Sequence, residues 1–373
     1  MPVGVRDFGP RGRAQLDQLL PSTAAALGVA EFDNTLGLPA ADRYVVMVLD
    51  GLGLELLQQH ADAAPYLASL PTVGDVVCGV PSTTATSLTT LGTGELVGVH
   101  GVPGYTCRVP SLGRRMNMLV WDQPVDAEEW QPHPTMLERM AAAGISASVV
   151  NDAKFEQTGL TLCSQRGVPF HGVNSAWERL DVTVEVIEAT TRGFVYTYEN
   201  SLDHTGHGHG CTSPEWRAQL TEVDADVHRL REELPDDTIL VVTADHGMID
   251  LPADGRFDLD TIDALRDGVE LVAGEARFRH LYTESGATDD VAASWRETVG
   301  ERAIVALREE AEEWFGPIAP DVRGRLGDVV VAALDDFAVF SSRDFPQELQ
   351  LRGFHGSVTE AELRIPVLVS TGV

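Results

Sequence analysis

The segment Asp203-His204-Thr205-Gly206-His207-Gly208-His209 puts a carboxylate and three imidazoles into one glycine-rich stretch. Carboxylates and imidazoles are the oxygen and nitrogen donors that divalent metals take. Three other segments carry the same chemistry: Asp50-Gly51, Asp245-His246-Gly247 and His355-Gly356. Together they hold donors enough for two metal ions. Asp203 and His207 are four residues apart, so in a turn or the first turn of a helix both side chains face one point. Asp245 and His246 are adjacent and normally point apart; in a loop after a strand they either converge or serve two neighbouring ions. Gly206, Gly208, Gly210 and Gly247 are expected to permit the backbone conformations that such crowding needs. Blander readings stand beside these. An Asp-His-Gly turn is often a plain loop, and His204 and His209 fit a solvated surface. Asp50 fits a turn aspartate or a dinucleotide loop, although Gly51-Leu52-Gly53 lacks the third glycine because Leu56 takes its place.

A mixed carboxylate and imidazole set suits Zn²⁺, and also Mn²⁺ or Fe²⁺; without thiolates it points to catalysis rather than to a structural site. Between Asp50 and the other donors lies Pro81-Ser82-Thr83-Thr84-Ala85-Thr86, a hydroxyl-rich turn fit to hold a nucleophile. One metal lowers the pKa of a bound hydroxyl, and two clamp a phosphoryl group during in-line displacement. Thr83 or Thr84 at a helix start would also have backbone N–H groups facing a phosphate. An ordinary helix cap uses the same residue types. Taken jointly, the segments read as a two-metal hydrolase of phosphorus esters.

These groups need a frame. Residues 44–49 (Tyr-Val-Val-Met-Val-Leu) form a continuous apolar run ending in Asp50-Gly51. That is the pattern of a parallel strand buried on both faces. Further strands are expected around Val76-Val77 and over 147–150, 194–198, 238–242 and 329–333. Helices are expected from Thr84 onward, over 137–143 and 214–234, and over the charged stretch 302–314. Strands alternate with helices, and the donors fall at strand carboxyl ends, where ligands bind in open α/β sheets. Residues 251–348 read as a cap or subdomain inserted within one catalytic domain over 1–373.

A chain of 373 residues suffices for one large α/β domain with insertions, or for two domains. Its formal charge is −30, and Lys154 is its single lysine. So negative a chain disfavours nucleic-acid polymers and anionic membranes as partners. It also repels a small phosphorylated substrate unless bound metals reverse the local sign. The charge itself reads as an acidic solvated surface. Cys78, Cys107, Cys163 and Cys211 match neither a zinc ribbon nor a C-x-x-C redox pair. Cys211 follows the histidine cluster and reads as a buried thiol. With no signal-like start and no apolar run of membrane-spanning length, the protein is expected to be soluble and cytoplasmic. The oligomeric state is left open.

In order and spacing, Val48-Leu49-Asp50-Gly51, Pro81-Ser82-Thr83-Thr84-Ala85-Thr86, Thr93-Gly94, His100-Gly101, Asp203-x-x-Gly206-His207, Thr243-Ala244-Asp245-His246-Gly247 and His355-Gly356 resemble motifs of the alkaline phosphatase superfamily. Within it the closest branch is the type I phosphodiesterase/nucleotide pyrophosphatase family. The resemblance runs from Tyr44 to about His355 and is weakest over 251–348. It implies an α/β fold with an alkaline-phosphatase-like, mostly parallel sheet flanked by helices and a small inserted cap region. It implies hydrolysis of phosphate diesters or pyrophosphates. In that family the nucleophile lies nine residues before the Thr-Gly dipeptide, which implies Thr84. The resemblance further implies that Asp203, His207 and His355 bind one divalent ion and that Asp50, Thr84, Asp245 and His246 bind the other, Zn²⁺ before Mn²⁺ or Fe²⁺. Thr84 would form a covalent phospho- or nucleotidyl-threonine that water then hydrolyses, with net retention at phosphorus. Where the family carries an Asn that contacts a phosphoryl oxygen, this chain has Tyr105. Tyr105, or else Asn117, is therefore assigned that contact. The base-stacking Phe that follows the nucleophile in many relatives is absent.

The alternative on the same scaffold is a phosphomonoesterase or a phosphonate hydrolase. A monoesterase needs a cation for the extra phosphate charge, and Arg108, Arg114 and Arg115 are the candidates. A sulfatase would need a Cys-x-Pro-x-Arg motif, and a two-metal mutase a large second domain. A module that only binds metal would be expected to have lost a donor or the nucleophile, and none is missing.

Overall fold

The apolar run from Tyr44 becomes β1 (Arg43–Leu49), and each of its residues from Tyr44 to Leu49 is buried. The structure, a computed structural model, describes residues 4–372. Along the chain come β2 (Ser146–Asp152), β3 (Phe170–Val173), β4 (Gly193–Glu199) and β5 (Thr238–Thr243), then β6 (Val269–Glu275), β7 (Phe278–Thr283), β8 (Ala303–Leu307), β9 (Val329–Ala333) and β10 (Val367–Ser370). The main sheet has the order β10-β5-β1-β4-β2-β3. All its pairings are parallel except β10 with β5. Burial on both faces explains why β1, β4 and β5 lack polar alternation.

This topology positions the site. β1 lies between β4 and β5 and runs parallel to both, so three carboxyl ends stand side by side. Asp50 follows the first, Ser201 to His209 follows the second, and Asp245-His246 follows the third. Among the helices are α1 (Thr84–Thr93), α2 (Ser201–His209), α3 (Pro214–Glu233) and α4 (Thr288–Val299). Of these, α1 and α3 match the helices expected from Thr84 onward and over 214–234.

The segment 251–348 carries a second sheet, antiparallel throughout, of order β6-β7-β9-β8. Its two faces alternate with period two. Ile304, Ala306, Val330 and Ala332 join the main core, whereas Val305, Val329 and Val331 pack with Trp295 of α4 in a smaller one. The helix expected over 302–314 is not found. That stretch is β8 followed by a short helix, Glu312–Phe315. Its charged residues suggested a helical face, but β9 pairs with Ala303 to Leu307 and buries both sides of most of the run. Tertiary pairing overrides local composition here.

Candidate active site

Each donor reaches the site for a local reason. Asp203 and His207 share one face of α2, one turn apart, with His207 Nε2 3.4 Å from Asp203 Oδ1. His355 arrives from the loop after a short strand, Gly353–Phe354, and its Nε2 stands 3.2 Å from His207 Nε2. These three form one group; Asp50, Asp245 and His246 form a second, with the donor atoms of each group within 4.8 Å of one another. Adjacent Asp245 and His246 therefore converge on one point. His246 Nε2 lies 3.4 Å from Asp50 Oδ1 and 3.5 Å from Asp245 Oδ2. The groups are neighbours, because the rings of His246 and His355 stack at 3.8 Å.

The glycines act mainly through space. Gly206 lies inside a regular helix, and a Cβ there would meet Met248 Sδ at 2.3 Å. A Cβ on Gly247 would meet Ala361 O at 2.0 Å, and Gly208 faces open space. Of the four named from sequence, Gly210 alone has a positive φ, 95°, at the end of α2. Gly51 has φ 75°, and a Cβ there would come within 3.2 Å of Asp203 Cβ. Close approach of β1 to α2 requires glycine at that point.

The donor set fits divalent cations. Nδ1 of His207, His355 and His246 each faces a backbone carbonyl, of Gly353, Ser82 and Gly247, at 2.9, 3.0 and 3.0 Å. A carbonyl only accepts, so each Nδ1 carries the proton and each Nε2 presents a lone pair. Such outer bonds fix the tautomer of a metal-binding histidine. Asp50 Oδ1, Asp203 Oδ1 and Asp245 Oδ2 are buried without any hydrogen-bond partner. Buried anionic oxygens and converging lone pairs are costly unless a cation meets them. Burial raises the Asp50 carboxyl well above its ordinary range, and the charges of Asp245 and Asp203 add to this, against a hydrogen bond from Tyr198. Asp245 is raised by burial too, and the same cause holds His355 well below the usual imidazole value.

Thr84 is the first residue of α1, and its Oγ1 lies 3.2 Å from His246 Nε2. Thr83 occupies the cap position with extended backbone, yet no side chain caps the helix. The first-turn N–H groups of this buried helix therefore lack a side-chain acceptor, which suits an anion. Ser82, two residues before α1, ties this turn to the His355 loop. Its hydroxyl donates to Ser357 O at 2.7 Å and accepts from Gly356 N at 3.2 Å.

Two cavities meet at Thr84, Leu119 and Asp203. One, of about 240 Å³, is lined by Asn151, Gln165, Asn200, Phe155 and Tyr198. The other, of about 310 Å³, is lined by Tyr105, Glu275, Glu348, Phe354, His207 and His355. Tyr105 thus faces the site. Asn117 lines neither cavity; its Oδ1 accepts from Leu119 N and Val120 N at 2.9 and 3.1 Å and shapes the loop behind Tyr105. No arginine or lysine lines either cavity. Arg108 pairs with Glu270 and Arg115 with Asp344. Cys211 is buried, with its thiol toward Met248 O. His204 and His209 are outside both donor groups. Sequence reasoning missed Glu275, Gln165 and Asn200, and gave Asn151 a strand end but no role.

A family model described as type I phosphodiesterase / nucleotide pyrophosphatase matches residues 44–358. The fold is similar to that of murine ectonucleotide pyrophosphatase / phosphodiesterase 5, with a TM-score of 0.71 and 18% identity over 88% of this chain and 87% of that one. The same figures hold for an inactive threonine-to-alanine form of the murine protein in complex with AMP. The human counterpart gives a TM-score of 0.68 at 17% identity, over 88% and 87%. Among curated proteins, the catalytic subunit of GPI ethanolamine phosphate transferase 3 from Homo sapiens is 47% identical over 47 residues, and that from Mus musculus likewise. That match spans 13% of this chain and 4% of the relative's length.

Proposed function

The chain belongs to the type I phosphodiesterase/nucleotide pyrophosphatase family, a metal-dependent hydrolase family, and we propose that it cleaves small phosphate diesters or pyrophosphates through a covalent phospho-threonine at Thr84. The observation that carries this reading is the position of Thr84 Oγ1. It stands 3.2 Å from His246 Nε2, at an uncapped helix start where two donor groups and two cavities meet.

Asp203, His207 and His355 would hold one ion; Asp50, Asp245, His246 and Thr84 would hold the other. Bound there, divalent ions supply Lewis-acid polarisation of the phosphoryl oxygens and activation of a nucleophile. The mixed oxygen and nitrogen set favours Zn²⁺, with Mn²⁺ or Fe²⁺ also suited. Thr84 Oγ1 bonds to phosphorus as the first ester oxygen departs. The first-turn N–H groups of α1 receive a phosphoryl oxygen, and Tyr105 offers a hydroxyl from the facing wall. Water then cleaves the Thr84 ester and restores the hydroxyl. Two displacements give net retention at phosphorus. The threonine-to-alanine inactivation and AMP named for the murine neighbour support both the nucleophile and a small nucleotide-like substrate.

The lack of a cation beside Thr84 favours a diester over a dianionic monoester. A cytoplasmic site of action is part of the proposal, and four buried free thiols agree with a reducing compartment. No helix among the described residues is long and apolar enough to cross a membrane.

The test compares bis-p-nitrophenyl phosphate with p-nitrophenyl phosphate on chelated protein after Zn²⁺ or Mn²⁺ is restored. Metal-dependent turnover that is faster on the diester is expected. Faster monoester cleavage would overturn the diester preference, and turnover unaffected by chelation would overturn the metal assignment.

A further inference from the structure

One buried ion pair joins the inserted sheet to the loops that carry His355 and His246. Arg277 lies in the turn between β6 and β7, and Glu362 lies in a short helix, Glu360–Leu363, after the His355 loop. Both side chains are fully buried. Arg277 Nε donates to Glu362 Oε1 at 3.0 Å and Nη2 donates to Oε2 at 2.6 Å. Its Nη1 donates to the carbonyls of Asp335 and Phe337 in the inserted segment. Such a pair is a weak source of stability, because two ions must leave water to form it.

Its placement gives it another role. Glu362 Oε1 also accepts from Ser357 N at 3.0 Å, and Oε2 accepts from Thr359 Oγ1 at 2.5 Å. With the two bonds from Arg277, the lone-pair positions of the carboxylate are all filled. Ser357 O takes the Ser82 hydroxyl at 2.7 Å, and Ser82 O takes the proton of His355 Nδ1 at 3.0 Å. The main chain of the same glutamate faces the other donor group. Glu362 O accepts from Gly247 N at 2.8 Å, next to His246. Glu362 thus holds the His355 loop by its side chain and the His246 turn by its backbone. A substitution removes the first hold and leaves the second.

We infer that Glu362 is a positioning residue for the ion of Asp203, His207 and His355, and that Arg277 of the inserted sheet keeps it in place; this rests on the two-ion hydrolase reading. Glu362 acts through the backbone of Ser357 rather than on a donor atom. The test compares two full-length double variants, Arg277→Met/Glu362→Gln and Arg277→Met/Glu362→Leu. Both lose the ion pair, so neither leaves a buried charge alone. Only the glutamine keeps an oxygen for Ser357 N–H. Zn²⁺ dissociation constants are read by competition with a chelator, and Asp203→Ala identifies which of the two belongs to the His355 group. Turnover of bis-p-nitrophenyl phosphate by the wild type is followed in parallel.

The glutamine variant is expected to bind both ions within about threefold of wild type. The leucine variant is expected to bind the His355-group ion about ten- to a hundredfold more weakly, and the other ion within about threefold. Glu362→Asp keeps the charge but draws the carboxylate back by one methylene, so it should weaken the same ion alone even if the leucine variant does not fold. Equal affinities in the leucine and glutamine variants, or no weakening in Glu362→Asp, would overturn the inference. Equal weakening of both ions would mark a general defect of the fold and would overturn it too. In each case turnover by the wild type leaves the hydrolase reading standing. Two bound ions without wild-type turnover would overturn that reading, and the affinities would still decide the role of Glu362.

Discussion

At the scale of single residues, Thr83 and Thr84 separate two kinds of hydroxyl. Thr84 Oγ1 touches His246 Nε2, whereas Thr83 sits at the cap position of α1. Thr84→Ala is expected to cut kcat/KM by a thousandfold or more, about 4 kcal/mol of transition-state stabilisation. Thr83→Ala should retain measurable turnover. Steady-state rates with metal analysis check this, since Thr84→Ala should keep most of its bound metal. A dead Thr83→Ala beside an active Thr84→Ala would move the nucleophile by one position. A second outcome concerns the donors. Asp203→Ala is expected to lower bound metal by about one ion per chain, because it removes the one carboxylate of its group. Elemental analysis of metal-loaded protein reads this directly, and unchanged stoichiometry would defeat the division into two groups. The candidate donors were legible because each is an Asp or His beside glycine at the end of an apolar run. Glu275 had no such mark. It is a lone acid at the end of an inserted strand, and only the docking of the inserted sheet on the main core brings it to His355.

At the scale of elements, the site depends on joints between the main sheet and the inserted one. The main strands were readable because burial on both faces leaves a continuous apolar run. The inserted strands alternate between two cores and mix with charge, so β8 read as a helix. His280 on β7 is one of the joints. Its Nε2 donates to Pro103 O at 2.9 Å, and its Nδ1 accepts from Gly327 N at 3.1 Å. His100 is bonded in the same sense, to Thr90 Oγ1 at 3.0 Å and from Val102 N at 3.1 Å. Both rings are therefore neutral in the fold. Burial lowers His280 to about 4 and His100 to about 3. A histidine with a depressed folded pKa contributes stability that is present above its unfolded value, near 6.5, and is lost as pH falls toward the folded value. Each should cost about 2 kcal/mol between pH 7 and pH 5. The advantage of wild type over His280→Asn in urea unfolding is thus expected to shrink by about that amount over this range. A constant advantage would mean that the ring is charged in the fold, against its bonding.

At the scale of the whole molecule, a chain of net charge −30 buries some of its carboxylates, Asp50 and Asp245 among them, at its centre. Without cations this arrangement costs stability. Burial raises the pKa of Asp50 and Asp245; the charges of Asp245 and Asp203 add to this at Asp50, and that of Asp203 adds to it at Asp245. The sign follows from linkage. A raised carboxyl contributes stability that is full below its unfolded value, near 3.9, and is lost as pH rises through the folded value. Metal-free protein therefore becomes less stable from this source as the medium turns neutral. A bound divalent ion replaces the missing protons and removes the loss, and its own binding strengthens as the ligands deprotonate. Free ion at a hundredfold over its dissociation constant adds about 2.7 kcal/mol per site. The gain in Tm on adding Zn²⁺ to chelated protein is therefore expected to be several degrees at pH 7.5 and much smaller at pH 5. His100 and His280 are common to both forms and drop out of that difference. Calorimetric scans of chelated and metal-loaded protein at the two pH values measure it. An equal gain at both would show that the central carboxylates are already ionised and compensated in the metal-free fold, and the two-ion assignment would lose its electrostatic basis.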